Sequence, residues 1–266
     1  MKLVDVVYKY RSWDDTNHRN ILLQNEMWFA HPFQLNDLFD TRPPIVFDIE
    51  GYDTPEAKIK LRRMAERTYP NLRPWEIDVE LNYEWKRLQE DPQKFFVNNQ
   101  SETSKSNKIY DQIGVLSLSE DDLNPKLWGL YGNNSKGFCV GFDRHKLCAM
   151  FNLYRNVDYS DEPMIYKILD GFNSTHYVDM LFKKATTWDY EKEFRIVIVG
   201  IDVLYKNRKL HYPNDCIEEI ILGAEMNNLA IKEIVDIANN NYFKKINVYQ
   251  VKKSASSYSL VKVKIN

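Results

Sequence analysis

The sequence predicts an α+β protein with one mainly antiparallel, mixed sheet and an inserted helical segment. Strand-like alternation of apolar residues is concentrated at the start of the chain and again from residue 113 onward. Helical periodicity is concentrated between about 52 and 105. The 266 residues are 44% apolar and 28% charged, which is ordinary for a folded protein. We therefore expect a single α+β domain over residues 1–266.

The first half begins with a predicted strand at residues 4–10, followed by a helical turn and a strand within 20–30. Thr54 and Pro55 then form a helix start, because a hydroxyl caps free backbone N–H groups and proline suits the first helical position. Three prolines divide the following helical segment into about three helices: Pro70, Pro74 and Pro92.

The second half follows a polar loop at 100–108 and consists mainly of short strands. Strands are predicted at residues 113–119, 137–142, 153–159, 193–200, 217–223, 246–251 and 258–265. Helices are predicted after the Asn124 cap, around 174–186 and at 226–240.

Composition excludes several classes of function. The formal charge is −2 and the pI is near 6.2, so a general nucleic-acid coat is disfavoured. Only nine glycines are present, and neither a dinucleotide-binding nor a P-loop glycine motif occurs. Three cysteines and scattered histidines supply no disulfide framework and no zinc site.

The N-terminal stretch lacks the apolar region of a signal peptide, and no apolar run has the roughly 18–20 residues that a membrane span requires. We therefore expect a cytoplasmic protein without a membrane partner.

The most suggestive segment lies at the start of the predicted strand 193–200. Alternation of side chains places Glu191, Glu193 and Arg195 on one face. They form either an ion-pair ladder on a solvated surface or an acid pair beside the aromatic residues Trp188 and Tyr190.

Two shorter signals occur on other strands. Tyr10 and Arg11 end the first strand, and arginine suits bidentate contacts with phosphate. Ser117 and Ser119 end another strand with their hydroxyls on one face.

In this order, the three segments resemble the arginine–serine–glutamate class of ADP-ribosyltransferases, with Leu118 where that class usually has threonine. The resemblance implies that NAD is the substrate and that Arg11 holds its diphosphate. It implies that Ser117 orients the catalytic residue Glu193 and the nicotinamide ribose, and that Glu191 activates or selects the acceptor. Cleavage of the nicotinamide–ribose bond develops positive charge on the ribose, which a nearby carboxylate stabilises.

Aromatic residues complete the expected site. Phe39 follows an Asn-Asp pair that forms either an Asx-turn or part of the cleft. Trp128 and Tyr131 are three residues apart on a helical turn, where they pack in the core or form a wall for the nicotinamide. The residues expected to contact NAD are therefore Tyr10, Arg11, Ser119, Phe39, Trp128 and Tyr131. Trp188 and Tyr190 are expected to contact the acceptor.

A second resemblance covers most of the chain but implies no reaction. The sequence is similar to a large bacterial family known only as a domain of unknown function. The similar blocks are Tyr8–Arg11, Met27–Phe29, Phe33–Asp40, Ser117–Glu120, Trp128–Phe142, Trp188–Arg195 and Ile217–Gly223. A toxin or a phage-defence effector would be a natural setting for NAD consumption in a bacterium.

Three hypotheses of function follow. An ADP-ribosyltransferase-like enzyme, transferring ADP-ribose to a protein, to a nucleic acid or to water, requires Arg11, Ser117 and Glu193 in one cleft, with the acids unpaired with lysine. A non-catalytic module that binds a nucleotide or a peptide would leave Glu193 salt-bridged and exposed. A metal-dependent phosphodiesterase or nuclease would use Asp37, Asp40 and the two glutamates as ligands. The first hypothesis requires no metal.

Overall fold

A computed structural model describes residues 5–48, 50, 54–91, 110–167, 174–201, 206–240, 242 and 245–265. Its helices are α1 (Thr16–Leu23), α2 (Pro55–Thr68), α3 (Pro74–Glu90), α4 (Pro125–Leu130), α5 (Arg144–Cys148), α6 (Ser174–Met180) and α7 (Asn228–Asn240). Its strands are β1 (Val6–Arg11), β2 (Glu26–Trp28), β3 (Ile45–Asp48), β4 (Ile113–Ser119), β5 (Phe138–Asp143), β6 (Tyr154–Asn156), β7 (Asp158–Tyr159), β8 (Met164–Lys167), β9 (Lys183–Lys184), β10 (Glu193–Val199), β11 (Lys209–His211), β12 (Ile217–Leu222), β13 (Asn247–Lys253) and β14 (Leu260–Lys264).

One eight-stranded sheet forms the centre, in the order β14-β13-β12-β5-β1-β4-β10-β6. Neighbouring strands run antiparallel except β12 and β13, which are parallel. The predicted α+β class with a mainly antiparallel, mixed sheet is therefore confirmed.

The two faces of the sheet have different chemistry near β10. Phe194, Ile196 and Leu116 point into the main apolar core, to which α1 and α7 also contribute buried side chains. Because side chains alternate along a strand, Glu193 and Arg195 point to the opposite face. A packed apolar layer therefore lies on the other face of the strand that carries these two polar residues.

The ladder between β1 and β4 is very short. β4 pairs with β10 over seven positions, and β1 pairs with β5 over six. Between β1 and β4, the only registered pair is Tyr8 with Ser119. Beyond that pair, the two strands leave a gap in the middle of the sheet.

Several predicted boundaries differ from the structure. The strand expected at 153–159 is interrupted at Val157, which separates β6 from β7. The helix expected at 174–186 ends at Met180, since the chain continues into the short strand β9. The inserted segment contains α2 and α3, and its residues 92–105, like the polar loop 100–108, lie outside the described part. Among the described helices, none is both long enough and apolar enough to cross a bilayer.

Candidate functional site

A cavity of about 230 Å³ opens at the gap between β1 and β4. Its lining includes Lys9, Arg11, Ser117, Lys184, Glu191 and Glu193. Arg11, Ser117 and Glu193 all line this cavity. Alternation along β1 places Arg11 on the same face as Val7 of the main apolar core, so Arg11 reaches the gap from the face opposite to Glu193. β1, β4 and β10 are consecutive in the sheet, so neighbouring strands bring the three residues together.

Glu193 lies at the start of β10 and is 3% exposed. Arg195 binds it bidentately, with Nε 2.8 Å from Oε1 and Nη2 3.0 Å from Oε2. Ser117 on the neighbouring strand also hydrogen-bonds to its side chain. Burial alone would raise the pKa of Glu193, but the charges of Arg195 and Lys184 outweigh burial and lower that pKa to about 2. Glu193 is therefore a carboxylate at neutral pH.

Lys184 contacts three carboxylates in the buried part of the site. Its Nζ lies 2.6 Å from Glu191 Oε2, 3.1 Å from Glu193 Oε2 and 3.5 Å from Asp40 Oδ2. Burial would lower the pKa of Lys184, but these three charges outweigh it and raise that pKa. The expectation that the two glutamates are not paired with lysine is therefore wrong. Lys184, seven residues before Glu191 in the chain, therefore neutralises part of the charge of the two glutamates.

Glu191 reaches the site by a different backbone path from the predicted one. It is the last residue of a 3₁₀ turn (Thr186–Glu191), and Lys192 then adopts a left-handed conformation with φ 44° and ψ 52° before β10 begins. The prediction that Glu191 and Glu193 alternate along one strand is therefore wrong. The left-handed residue nevertheless directs both carboxylates into the cavity.

Tyr131 closes the other side of Glu191. Its hydroxyl donates to Glu191 Oε1 at 2.7 Å and accepts from Asn36 Nδ2 at 2.7 Å. Ser119 Oγ donates to the backbone carbonyl of Glu191 at 2.7 Å. Both predicted residues line the cavity, and in this structure their hydroxyls hold Glu191.

Two cations lie on the β1 side of the gap. Lys9 Nζ donates to the carbonyl of Ser117 at 2.5 Å, and Arg11 Nη1 donates to the carbonyl of Tyr10 at 3.4 Å. Within the described residues, neither side chain forms a salt bridge. Burial lowers the pKa of Arg11 to about 10, and burial together with the charge of Arg11 lowers the pKa of Lys9. Such a pair favours an anionic ligand.

The predicted aromatic residues divide into two groups. Tyr10 lines the cavity, and its hydroxyl donates to the carbonyl of Asp121 at 2.6 Å. Trp128 instead packs edge-on against Tyr10 with ring centroids 5.1 Å apart, and it is fully buried. The role of Trp128 as a wall of the nicotinamide site is therefore wrong, and its alternative, core packing, is correct.

Three further aromatic residues lie outside the cavity lining. Phe39 is exposed on the surface. Trp188 faces Lys184, with Nζ 5.0 Å from its ring centroid, and Tyr190 faces Lys126 at 4.3 Å. These residues support the site or cover the surface near it.

The loop before Asp40 is an Asx-turn, since Asp37 Oδ1 accepts from the backbone N–H of Phe39 at 3.0 Å. Asp40 itself is buried, and its Oδ1 lies 2.9 Å from Arg195 Nη1. Asp40 and the two glutamates therefore converge on Lys184 and Arg195. In the part of the chain that the structure describes, no group of acidic, histidine or cysteine side chains is arranged to hold a metal.

The sequence interpretation missed three contributors. Lys9 lies two residues before Arg11 on β1, so the two side chains share one face of the strand. This spacing was a usable signal. Trp28 on β2 lines the cavity, but its strand gave no indication of a site. Lys184 belongs to a two-residue strand that has no periodicity from which a contact could be predicted.

Comparison with known protein families gave one match. Residues 127–196 match the model of a family described as protein of unknown function (DUF2971). This segment contains Tyr131, Lys184, Glu191, Glu193 and Arg195. The match supports the expected similarity to a family of unknown function, and the comparisons give no support to the resemblance to ADP-ribosyltransferases.

No characterised protein and no solved structure matched the chain.

Proposed function

We propose that this protein cleaves NAD at the nicotinamide–ribose bond and transfers the ADP-ribose to a macromolecule or to water. The observation that carries the proposal is that Arg11, Ser117 and Glu193, from three consecutive strands, all line one cavity. These three residues supply a cation, a hydroxyl and a carboxylate from three strands of one sheet.

The carboxylate end suits the bond that breaks. The electron pair of the ribose C1′–nitrogen bond leaves with nicotinamide, and positive charge develops on the ribose. Glu193 is ionised, so its charge stabilises that transition state. Ser117 fixes the carboxylate, and Glu191 lies near enough to share Lys184 with it. The acceptor oxygen or nitrogen then bonds to C1′ and gives its proton to bulk water.

The cation end suits the rest of NAD. Lys9 and Arg11 line the cavity on the opposite side of the gap and form no salt bridge in the described chain. The charges of Glu191 and Glu193 act on Lys9, and that of Asp15 acts on Arg11, from a greater distance. A diphosphate would offset their repulsion, since an opposite charge favours the protonated form of each side chain. NAD carries its diphosphate and its nicotinamide ribose at adjacent positions, which matches this separation of charge.

The test is release of nicotinamide from NAD by the full chain. We expect turnover by the wild type and at least a hundredfold loss in Glu193→Gln, because removal of one electrostatic contribution of this kind costs roughly 10²–10³ in rate. Glu162→Gln, an exposed glutamate outside the cavity, is the matched control and should retain wild-type turnover. Absence of nicotinamide release by the wild type, with a macromolecular fraction supplied as acceptor, contradicts the proposal.

A second candidate is a non-catalytic module that binds NAD or a similar nucleotide. It is favoured by the contacts of Glu193, both of whose oxygens are already held by Arg195 and Lys184. Its prediction that Glu193 is exposed is wrong. Under this function, NAD would raise the melting temperature of the wild type and of Glu193→Gln equally, without release of nicotinamide by either protein.

A further inference from the structure

The eight-stranded sheet ends at β14, and no described strand pairs with its outer edge. On its inner side, β14 runs antiparallel to β13, and Ile265 donates its backbone N–H to the carbonyl of Val248 directly opposite, at 2.9 Å. Hydrogen-bonded and non-hydrogen-bonded pairs alternate along such a ladder. The residues that direct their N–H and C=O groups outward are therefore Leu260, Lys262 and Lys264.

The side chains along this edge alternate between apolar and basic. Val261, Val263 and Ile265 share one face of β14, and their exposed fractions are 42%, 41% and 38%. Lys262 and Lys264 point to the other face. A strand added to β14 would therefore lie beside an exposed apolar row and a row of lysines.

The surface around β14 is strongly basic, although the whole chain has a formal charge of −2. Residues 241–266 contain six lysines and no aspartate, glutamate or arginine. Lys262 Nζ lies 2.6 Å from each of two carboxylates, whereas the exposed Lys252, Lys253 and Lys264 form no salt bridge within the described residues. This unbalanced charge favours an acidic partner.

We propose that the outer edge of β14 binds a polypeptide segment of alternating acidic and apolar residues as an added antiparallel strand. Backbone hydrogen bonds supply the attraction for such a strand, and its side chains supply the selectivity. Acidic side chains opposite Lys262 and Lys264, and apolar ones opposite Val261 and Val263, complement the edge. Three strands separate β14 from β1, so the cavity takes no part in this contact.

Two other occupants fit the edge less well. Antiparallel pairing of two β14 strands about Lys262 or Val263 places lysine opposite lysine, which disfavours a second copy of the chain. The lysines alone would attract a nucleic acid. The outward backbone groups and the apolar row favour a polypeptide instead.

The test measures the affinity of the full chain for synthetic peptides by calorimetry. The probe is a peptide of about ten residues, the upper length of an ordinary strand, that alternates glutamate with valine. The controls are a peptide with the same composition arranged in two blocks and a peptide that alternates lysine with valine. We expect the glutamate–valine peptide to bind roughly tenfold more tightly than either control, because only this peptide matches both the charge and the alternation of the edge.

N-methylated versions of the glutamate–valine peptide test the backbone contact. Opposite Lys262 and Lys264, the glutamates direct their N–H groups toward β14, and the valines direct theirs away. N-methylation of the glutamates should therefore abolish binding, whereas the same number of N-methyl groups on the valines should preserve it.

A charge-reversal variant tests the basic row. Lys264→Glu should weaken binding of the glutamate–valine peptide about fivefold and strengthen binding of the lysine–valine peptide. Lys232→Glu, at an exposed site on α7, makes the same change in net charge and should retain the wild-type affinities.

Several results would overturn the proposal. Equal affinities for the alternating and the block peptides would reduce the contact to non-specific attraction between charges, and absence of binding would remove it. Equal effects of the two N-methylations would exclude strand pairing at this edge. Tighter binding of a single-stranded oligothymidylate than of the glutamate–valine peptide would assign the surface to a nucleic acid.

Discussion

Lys9 Nζ lies 2.5 Å from the carbonyl oxygen of Ser117, across the gap where the backbone pairing of β1 with β4 has stopped. A side-chain amine thus takes the place of a main-chain donor at this position. Because a buried carbonyl without a partner is costly, the contact allows the sheet to stay open at the cavity. Lys9 therefore has a structural function in addition to its charge.

Replacement of Lys9 should change how stability depends on pH. The pKa of Lys9 is lower in the folded protein than in the unfolded chain, so between these two values the unfolded chain binds more protons. The stability of the wild type then rises as the pH rises toward the unfolded value. We expect the melting temperature of the wild type minus that of Lys9→Met to increase as the pH is raised toward the ordinary lysine pKa of 10.5. Lys232→Met, at an exposed lysine of α7, should show no such trend.

Arg11→Met should weaken ligand binding and stabilise the free protein. The free protein loses a desolvated cation whose pKa is lowered to about 10, so its melting temperature should rise. The KM for NAD should increase at least tenfold, or by about 1.4 kcal/mol, because a phosphate contact is lost. Parallel measurements on Arg63→Met, an exposed arginine of α2, should show neither effect. A fall in the melting temperature of Arg11→Met would contradict the absence of an ion-pair partner.

Lys184→Met should be the most destabilising substitution in the site. It leaves three buried carboxylates with only Arg195 as a counter-charge, and breaking a buried pair in this way costs about 3–5 kcal/mol. The folded pKa of Lys184 is raised, so its contribution is fully present at neutral pH and is lost only under strongly alkaline conditions. Urea unfolding at pH 7 measures the loss. The adjacent Lys183→Met, whose side chain is outside the cavity lining, should cost much less.

Glu193 should contribute to unfolding by acid. Its pKa is about 2 in the folded protein against an ordinary value of 4.5, so the unfolded chain takes up the proton first. The contribution of Glu193 is present above pH 4.5 and is lost as the pH falls toward 2. We expect the stability difference between wild type and Glu193→Gln, measured by urea unfolding, to shrink over this range. A difference that is constant from pH 6 to pH 2.5 would show that Glu193 is not held as a carboxylate.

Lys192→Gly should stabilise the fold. Lys192 has a φ of 44°, and a left-handed conformation costs a residue with a Cβ roughly 1–2 kcal/mol. The exposed pair between Lys192 and Asp121, at 3.2 Å, is worth at most about 1 kcal/mol. We expect a small net gain in the free energy of unfolding, whereas Lys192→Val should lose stability. If the glycine variant is clearly less stable than the wild type, the left-handed residue is not a source of strain.

The sequence predicted the sheet and the two ends of the site because both depend on local patterns. Alternation along β4 and β10 indicated which side chains of each strand share a face, and Ser117 and Glu193 line one cavity with Arg11 of β1. The path of Glu191 was wrong because period-2 alternation assumes extended backbone, and Lys192 breaks it with a conformation that lysine seldom adopts.

The buried contacts of Lys184 could not be predicted for a different reason. Lys184 meets Glu193 and Asp40 only through tertiary packing, and Asp40 is 144 residues away from Lys184 in the sequence. Trp128 shows the same limit, since helical spacing placed it beside Tyr131 but could not indicate which of the two faces the core.

At the centre of the sheet, β1 and β4 are joined by the single registered pair between Tyr8 and Ser119. Five strands lie on one side of this junction and three on the other. Backbone pairing therefore connects the two parts of the sheet at only one position. A molecule that contacts Arg11 on one side and Glu193 on the other would link the two parts of the sheet. Ligand binding should therefore slow amide hydrogen exchange in β1 and β4 together, although these strands share almost no ladder of their own.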